Sequence, residues 1–126
     1  MKLLLSIPTG VYSNSAYLPY IWALLKTHLE LNYDKEVDVT WLDPIHLETH
    51  DASYCDIFLT SNYAWNWEKN LELTRKVKQL NPNCYVIAGG PQIPFRNKNV
   101  FNLYENVDAL CFQEGEQVLS EFLYRF

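Results

Sequence analysis

An apolar run that ends in two glycines and a proline, Tyr85–Pro91, restricts the fold of this chain more than any other stretch. Its first four residues show no polar alternation, which is typical of a strand covered on both faces, as in a parallel sheet. Gly89 and Gly90 remove the Cβ atoms at the end of that strand, so backbone or a ligand can approach closely. Pro91 then prevents further strand pairing. Because ligands of open parallel sheets bind beyond the carboxyl ends of the strands, we predict a ligand site at this diglycine. A tight turn alone is the alternative explanation of the two glycines.

Strand and helix patterns alternate along the whole chain. Helical spacing of apolar residues follows the loop 8–15, with a start near Tyr17 or Leu18, and recurs from Trp67 to Leu80 and around Val118–Leu123. Alternation of this kind implies right-handed crossovers and a parallel sheet. We therefore predict an α/β fold: a single flavodoxin-like (Rossmann-like) three-layer domain spanning 1–126, with a five-stranded parallel sheet in the order 2-1-3-4-5. The predicted strands are 2–7, 36–42 (at an edge), 54–60, 85–88 and 107–112.

Composition excludes several classes of function. The net charge is −5 and no basic stripe is present, so the sequence predicts no nucleic-acid partner. No apolar run approaches the roughly 18 residues that a membrane span needs, so no membrane is expected. The three cysteines, Cys55, Cys84 and Cys111, are widely spaced and have no metal-clip spacing. They are interpreted as buried reduced thiols of a cytoplasmic protein.

Four loops are predicted to leave the same edge of the sheet: 8–15, 61–66, 89–94 and 113–116. Their side chains are small, amide and aromatic, and the chain offers no Ser–His–Asp set and no Cys–His pair at a plausible spacing. Glu114 and Glu116 form a possible carboxylate pair, but acids at this position also favour a helix N-terminus. The loops indicate a binding module without catalytic residues of its own.

Four segments of the chain together resemble those of a known family. The residues that carry the resemblance are the strand before Gly89-Gly90-Pro91, the segment Gln113-Glu114-Gly115-Glu116, the helix start Tyr17-Leu18-Pro19-Tyr20 and Ser61-Asn62-Tyr63-Ala64-Trp65-Asn66. Together they look like the N-terminal cobalamin-binding domain of cobalamin-dependent radical S-adenosylmethionine (SAM) enzymes. The similarity covers nearly the whole chain.

The resemblance implies a cobalamin that lies across the carboxyl edge of the sheet, with its nucleotide tail beside strands one, three and four. Ser61 would hydrogen-bond the tail, and the two glycines would let it pass against bare backbone. The loops after the first and third strands would cover the corrin. The cofactor-binding residues implied in this way are Thr9, Gly10, Tyr12, Ser13, Ser61, Asn62, Tyr63, Trp65, Asn66, Gly89, Gly90, Pro91, Gln92, Glu114 and Gly115.

Two departures from related cobalamin proteins shape the functional prediction. The loop 8–15 has neither the Asp nor the His of an Asp-x-His-x-x-Gly motif, and His28, His46 and His50 lie elsewhere. We therefore expect no histidine of this chain to bind cobalt and predict no metal ligand. Water, the cofactor's own base or a loop side chain would then lie at the lower face of the cobalt. The chain also lacks the Cys-x-x-x-Cys-x-x-Cys cluster, so no iron–sulfur centre is expected. The expected function is presentation of cobalamin to a radical SAM domain in the same or another chain.

Two alternatives remain open from the sequence. The first is a flavodoxin-type electron carrier, in which Thr9-Gly10 and Ser13-Asn14-Ser15 would bind the phosphate of FMN, with Tyr63 and Trp65 flanking the flavin. The second is a degenerate domain that binds no cofactor and has a structural or interaction role.

Overall fold

The computed structural model describes residues 1–6, 20–42, 54–94 and 99–126. Within these ranges the strands and helices alternate, as the hydrophobic patterns predict. No helix in these ranges is both long enough and apolar enough to cross a membrane. In chain order the elements are β1 (Lys2–Ser6), α1 (Tyr20–Asn32), β2 (Asp38–Leu42), β3 (Ile57–Ser61), α2 (Trp67–Leu80), β4 (Tyr85–Gly89), α3 (Val100–Leu103), β5 (Ala109–Leu110) and α4 (Gly115–Arg125).

The described strands form one five-stranded parallel sheet in the order β2-β1-β3-β4-β5. The α/β class, the parallel sheet and the strand order 2-1-3-4-5 are thereby confirmed, including the edge position of β2. The order reverses between β1 and β3, which is where ligands of doubly wound sheets usually bind. In this register Ser6 pairs with Thr60, and Ser61 pairs with Gly89. The carboxyl ends of β1, β3 and β4 therefore lie side by side at one edge.

The sheet separates two hydrophobic cores, as expected for strands that alternate their side chains between two faces. On one face, Leu4, Phe58 and Val86 pack against α2 with Leu73 and Val77. On the other face, apolar side chains of the same strands pack against α1 and α4; they include Leu3, Leu5, Ile57, Leu59, Leu25, Leu29, Leu119 and Leu123. Burial of these side chains stabilises each layer by roughly 25 cal/mol per Å² of apolar surface.

Element boundaries differ modestly from the expectations. The third strand is predicted at 54–60 and observed at Ile57–Ser61, which brings Ser61 into the register with Gly89. The last strand is predicted at 107–112, but only Ala109–Leu110 pair with β4. The predicted start of α1 near Tyr17 or Leu18 lies outside the described residues. All three cysteines are buried and free, which agrees with their interpretation as reduced thiols.

Candidate functional site

A groove opens at the carboxyl edge of the sheet, on the face that carries α1 and α4. Its volume is about 380 Å³, which lies within the usual range for pockets that bind small molecules. The sheet forms its floor and the two helices form its walls. The lining residues are Leu5, Ile21, Leu25, Leu59, Thr60, Ser61, Tyr63, Ile87, Gly89, Gly90, Pro91, Ala109, Leu110, Cys111, Gln113, Glu114, Gly115, Glu116, Val118, Leu119 and Phe122.

Seven of the fifteen residues that the resemblance implies line this groove: Ser61, Tyr63, Gly89, Gly90, Pro91, Glu114 and Gly115. Four others, Asn62, Trp65, Asn66 and Gln92, lie in the described part of the chain but do not line it. The remaining four, Thr9, Gly10, Tyr12 and Ser13, lie outside the described residues, as do His46 and His50.

Ser61 supplies a buried polar group to the groove. It ends β3 on the same face as Leu59, and only 8% of its surface is exposed. Its carbonyl oxygen accepts hydrogen bonds from the side-chain amides of Asn66, at 3.1 Å, and Asn70, at 3.0 Å. Its hydroxyl makes no hydrogen bond to any residue that the structure describes. Because Ser61 lines the open groove and its hydroxyl is not one of the fully buried unpartnered atoms, that hydroxyl is accessible to a ligand atom, to which it can donate a hydrogen bond.

The two glycines of the diglycine have different roles. Gly89 is the register partner of Ser61, and the atoms nearest to a Cβ placed on it would be Cys111 Cβ, at 3.5 Å, and the carbonyl oxygens of Cys111 and Thr60, at 3.8 and 4.0 Å. Gly90 has a φ of +101°, and its Cβ would lie 2.5 Å from the Asn62 carbonyl oxygen and 2.6 Å from the Asn62 nitrogen. The fold itself therefore requires glycine at position 90. Gly89 is the residue whose missing side chain leaves the groove floor bare.

Asn62 organises the loop behind the groove. It is 1% exposed, and its side-chain amide donates to Thr60 Oγ1 at 2.9 Å and to the Gly89 carbonyl at 3.0 Å. Its backbone nitrogen also donates to the Gly89 carbonyl, at 2.8 Å, and its carbonyl accepts from Gln92 N at 3.0 Å. These bonds fix β3 and β4 relative to each other at their carboxyl ends. The amide of Asn62 is thus engaged by the protein, and Gln92 is held through its backbone.

Asn66 and Asn70 extend this buried amide network onto α2. Asn66 Oδ1 accepts from Tyr63 N at 2.8 Å, and Asn70 Nδ2 donates to Asn62 Oδ1 at 3.0 Å. Asn70 is not among the residues predicted from the sequence, although it follows Asn66 by four residues and therefore shares its helical face. Thr74, one further turn along, donates its hydroxyl to the Asn70 carbonyl at 2.8 Å. The amide-rich loop is therefore a rigid support for the site.

Two buried polar atoms at this edge have no hydrogen-bond partner among the residues that the structure describes: Ser6 Oγ at the end of β1 and Asn70 Oδ1 on α2. Ser6 is 0% exposed and pairs in register with Thr60. Ser6 is not among the predicted site residues either, because a serine at a strand end gives no distinctive pattern in the sequence. Both atoms lie on the α2 face of the sheet, opposite the groove.

Tyr63 and Trp65 form an aromatic surface beside the groove mouth. Their rings are stacked, with centroids 4.7 Å apart and an angle of 13° between planes. Trp65 is 68% exposed. Since the two rings stack on each other, no flavin ring lies between them in this arrangement. They instead present one flat apolar face to whatever lies above the sheet edge.

The N-terminus of α4 closes the opposite side of the groove. Gln113 has a φ of +68°, an uncommon value for a residue other than glycine. Glu114 is the N-cap residue and makes no side-chain capping bond, and Gly115 begins the helix. The backbone N–H groups of the first turn have no partners within the helix, which favours anions nearby.

Cys111 is a buried titratable group that lines the groove together with the carboxylates of Glu114 and Glu116. Burial raises the pKa of its thiol, and the nearby Glu116 carboxylate raises it further. The thiol is therefore neutral at pH 7. In the described ranges no three His, Cys, Asp or Glu side chains cluster closely enough to hold a metal ion. His28 lies between α1 and α4, with Nε2 3.3 Å from Ser120 Oγ.

Comparisons with known proteins agree with the resemblance seen in the sequence. The chain is 32% identical over 113 residues to the cobalamin-dependent radical SAM methyltransferase TokK of Streptomyces tokunonensis. It is 31% identical over 113 residues to 2-(S-pantetheinyl)-carbapenam-3-carboxylate methyltransferase of Streptantibioticus cattleyicolor. Each alignment covers 85% of this chain but 17% of the relative, so the chain matches only a small part of each relative's length. No protein-family model matches the chain.

A solved structure supports the fold alone. The RocCORdC portion of Roco2 from Methanosarcina barkeri, bound to GDP, has a TM-score of 0.56 and 14% sequence identity; the match covers 98% of this chain and 47% of that one. The present sequence has no Gly-x-x-x-x-Gly-Lys-(Ser/Thr) phosphate loop after its first strand. The likeness therefore gives no reason to expect a nucleotide site of that type.

Proposed function

We propose that this chain is a cobalamin-binding module that presents the corrin cofactor to a radical SAM domain in the same or another chain. The observation that carries the proposal is the groove floor, where Ser61 lies in register with the bare backbone of Gly89 and its hydroxyl is open to the groove. Support comes from the relatives, whose names describe a cobalamin-dependent radical SAM methyltransferase and a carbapenam methyltransferase.

The residues of the groove fit the nucleotide tail of cobalamin. The tail ends in a flat, largely apolar base, and the groove offers a bare glycine floor between apolar walls. The Ser61 hydroxyl would donate a hydrogen bond to the free ring nitrogen of the base. The first-turn N–H groups of α4, at Gly115, would face the tail phosphodiester. Tyr63 and Trp65 would cover one side of the corrin.

This placement has a consequence for the cobalt. A base that occupies the groove cannot also coordinate cobalt from below, so we expect cobalamin bound in its base-off form. The chain's histidines do not replace the base in this proposal, because His28 contacts Ser120 between α1 and α4. In this proposal Tyr63 and the exposed Trp65 would contact the corrin through their ring faces, and no described side chain would coordinate the cobalt.

When bound, cobalamin supplies a methyl-carrying centre. The residues of this chain bind the tail, orient the corrin over the sheet edge and keep water from the groove floor. The proposal gives the chain no catalytic residue of its own. The reaction would take place against the partner domain, which accords with the 17% share of each relative that this chain spans.

The test is direct binding. The purified protein is mixed with hydroxocobalamin and desalted, and its visible spectrum is recorded. We expect about one corrinoid per chain, with the spectrum of the base-off form. A colourless protein at micromolar concentration would overturn the proposal. The variant Gly89→Val, which keeps the strand but narrows the groove, is the matched control and should retain little colour.

Two parallel measurements decide between the alternatives left open by the sequence. Retention of yellow FMN in the same experiment would favour a flavodoxin-type carrier. A domain without a cofactor would show no rise in melting temperature with any corrin or flavin. By contrast, a ligand at a hundred times its Kd adds roughly 2.7 kcal/mol to the stability.

A further inference from the structure

Two of the three cysteines lie side by side at the amino ends of neighbouring strands. Cys55 precedes β3 by two residues, and Cys84 is the residue before β4. Their sulfur atoms are 3.7 Å apart, and the two residues are 5% and 0% exposed. Because the strands are parallel, this end of the sheet lies away from the groove at the carboxyl edge. The cysteine pair is therefore separate from the candidate cofactor site.

Local backbone structure brings both sulfur atoms to one face of the sheet. Cys84 continues the alternation of β4, so its side chain lies on the α2 face. In a regular strand Cys55 would share the opposite face with Ile57, but a bend of the backbone at Asp56 turns it to the α2 face. The Cys55 thiol donates a hydrogen bond to the Ile57 carbonyl at 2.8 Å, and the Asn81 amide donates to the Cys55 carbonyl at 3.0 Å. These contacts hold Cys55 beside Cys84.

The surroundings of the two thiols give them different acidities. A hydrogen bond from Cys55 lowers the pKa of the Cys84 thiol, and the ammonium group of Lys78 lowers it further. Burial and the Asp108 carboxylate act on that pKa in the opposite direction. The hydrogen bond with Cys84 and burial raise the pKa of the Cys55 thiol. Cys84 is therefore the first of the two to become a thiolate, with a protonated thiol beside it.

We propose that Cys55 and Cys84 form a redox-active dithiol, which a small hydroperoxide such as hydrogen peroxide converts to a disulfide within the chain. The Cys84 thiolate attacks one peroxide oxygen, the O–O bond breaks, and the departing hydroxide takes up the proton that Cys84 had released. The Cys55 sulfur then attacks the sulfur of the Cys84 sulfenic acid, and the S–O bond breaks to release water. In sum, the two thiols lose two electrons and two protons, and the peroxide is reduced to two waters.

The oxidant has a short path to this buried pair. Cys55 lies between Tyr54 and Asp56, both of which are exposed. Hydrogen peroxide is little larger than water, so small fluctuations at this end of the sheet admit it. The neighbouring thiol intercepts the sulfenic acid where it forms, which favours the disulfide over further oxidation of Cys84.

The disulfide should stabilise the fold. A bond of about 2.05 Å brings the sulfur atoms about 1.6 Å closer than their present 3.7 Å, which is within reach of small side-chain rotations. The cross-link closes a loop over residues 55–84, which contains β3, the amide-rich loop and α2. Closure of such a loop restricts the unfolded chain more than the folded one, so the melting temperature should rise by about 5–15 °C.

The experiment treats the reduced full chain with a slight excess of hydrogen peroxide under native conditions. The remaining thiols are then alkylated in denaturant, and the intact mass and the peptide map are recorded. We expect a loss of about 2 Da from the two hydrogens, a peptide that links Cys55 to Cys84, and reversal by dithiothreitol. Cys111 is the internal control: it lies on the other face of the sheet and has a raised pKa, so it should remain a thiol.

Several outcomes would overturn the inference. Three free thiols after this treatment would show that the pair is inert. A disulfide that contains Cys111 or joins two chains would show that the reactive sulfur atoms are others. A melting temperature that falls on oxidation would show that the cross-link does not fit the native fold. Corrin binding is measured separately, because the disulfide lies at the opposite end of the sheet and its formation does not depend on the proposed cofactor.

Two variants test the roles of the two sulfur atoms. Cys55→Ser removes the second thiol, so peroxide should add oxygen to Cys84 with no loss of 2 Da. Lys78→Met removes the ammonium group and keeps a side chain of similar length, so the disulfide should form several-fold more slowly at pH 7. A wild-type rate in a Lys78→Met protein that melts like the wild type would contradict the assignment of Cys84 as the attacking thiolate. The wild-type peptide map tests the disulfide itself even where a variant fails to fold.

Discussion

The two adjacent glycines should respond to substitution in opposite ways. Gly90→Ala is expected to unfold the protein at a lower temperature whether or not a ligand is present. Gly89→Val is expected to leave the fold intact and to weaken corrin binding. The difference follows from the position of the Cβ atom that each substitution adds.

The loss of stability expected for Gly90→Ala has two contributions. A non-glycine residue at a φ of +101° costs of order 1–3 kcal/mol. The added Cβ, 2.5 Å from the Asn62 carbonyl oxygen, also displaces a backbone that donates to Gly89 at 2.8 Å and accepts from Gln92 at 3.0 Å. Each of those hydrogen bonds contributes about 1 kcal/mol. The total of about 3–5 kcal/mol corresponds to a fall in melting temperature of roughly 10–20 °C for a domain of this size.

Gly89→Val should change the stability of the fold little and the affinity for the corrin strongly. The backbone of Gly89 is that of an ordinary strand, and its added Cβ would lie 3.5 Å from Cys111 Cβ, a normal contact. Valine also favours strands, so stability should change by less than about 1 kcal/mol. In the groove, its two methyl groups overfill the space that the tail needs. Overpacking costs about 1–3 kcal/mol, which is about 5- to 150-fold in Kd.

The assay pairs thermal unfolding, followed by circular dichroism, with a hydroxocobalamin titration of each variant. A Gly90→Ala protein that melts within a few degrees of the wild type would refute the assignment of Gly90 to the fold. Wild-type affinity in Gly89→Val would refute the placement of the tail over Gly89. A large loss of stability in Gly89→Val would show that its added methyl groups are not accommodated as the distances indicate.

Two further predictions concern the support of the site and its titration. Asn62→Ala should lower the free energy of unfolding by about 1–3 kcal/mol, because buried partners such as Thr60 Oγ1 lose their bonds; a urea midpoint equal to that of the exposed control Asn102→Ala would contradict this. The raised pKa of Cys111 favours the neutral thiol in the folded state. The neutral Cys111 thiol therefore contributes fully to the free energy of unfolding below the thiol's unfolded pKa of about 8.5. As the pH rises above that value this contribution is lost, by at most about 1.4 kcal/mol per pH unit. Chemical denaturation between pH 7 and 10 should show a smaller decline in Cys111→Ala than in the wild type, and parallel declines would disprove this contribution.

The candidate site was predictable from the sequence only in outline. Strand ends can be located by pattern, so the loops after β3, β4 and β5 were correctly placed at one edge. The direction of individual side chains was not predictable. Asn62 and Asn66 belong to the amide-rich loop, but hydrogen bonds to β3, β4 and α2 turn both of them inward. The helical pattern of the sequence predicts that residues such as Leu119 are buried. It does not predict that Leu119 lines the groove, because that position depends on how α4 packs against the sheet.

The sequence by itself determined the alternation of strands and helices, the parallel sheet and its order, because hydrophobic periodicity and turn residues act locally along the chain. Only the tertiary structure decided which glycine serves the fold and which leaves the groove bare. The φ of Gly90 and its approach to Asn62 arise from two segments nearly thirty residues apart, which strand pairing brings together. The apolar character of the groove likewise exists only once α1 and α4 cover the same face of the sheet.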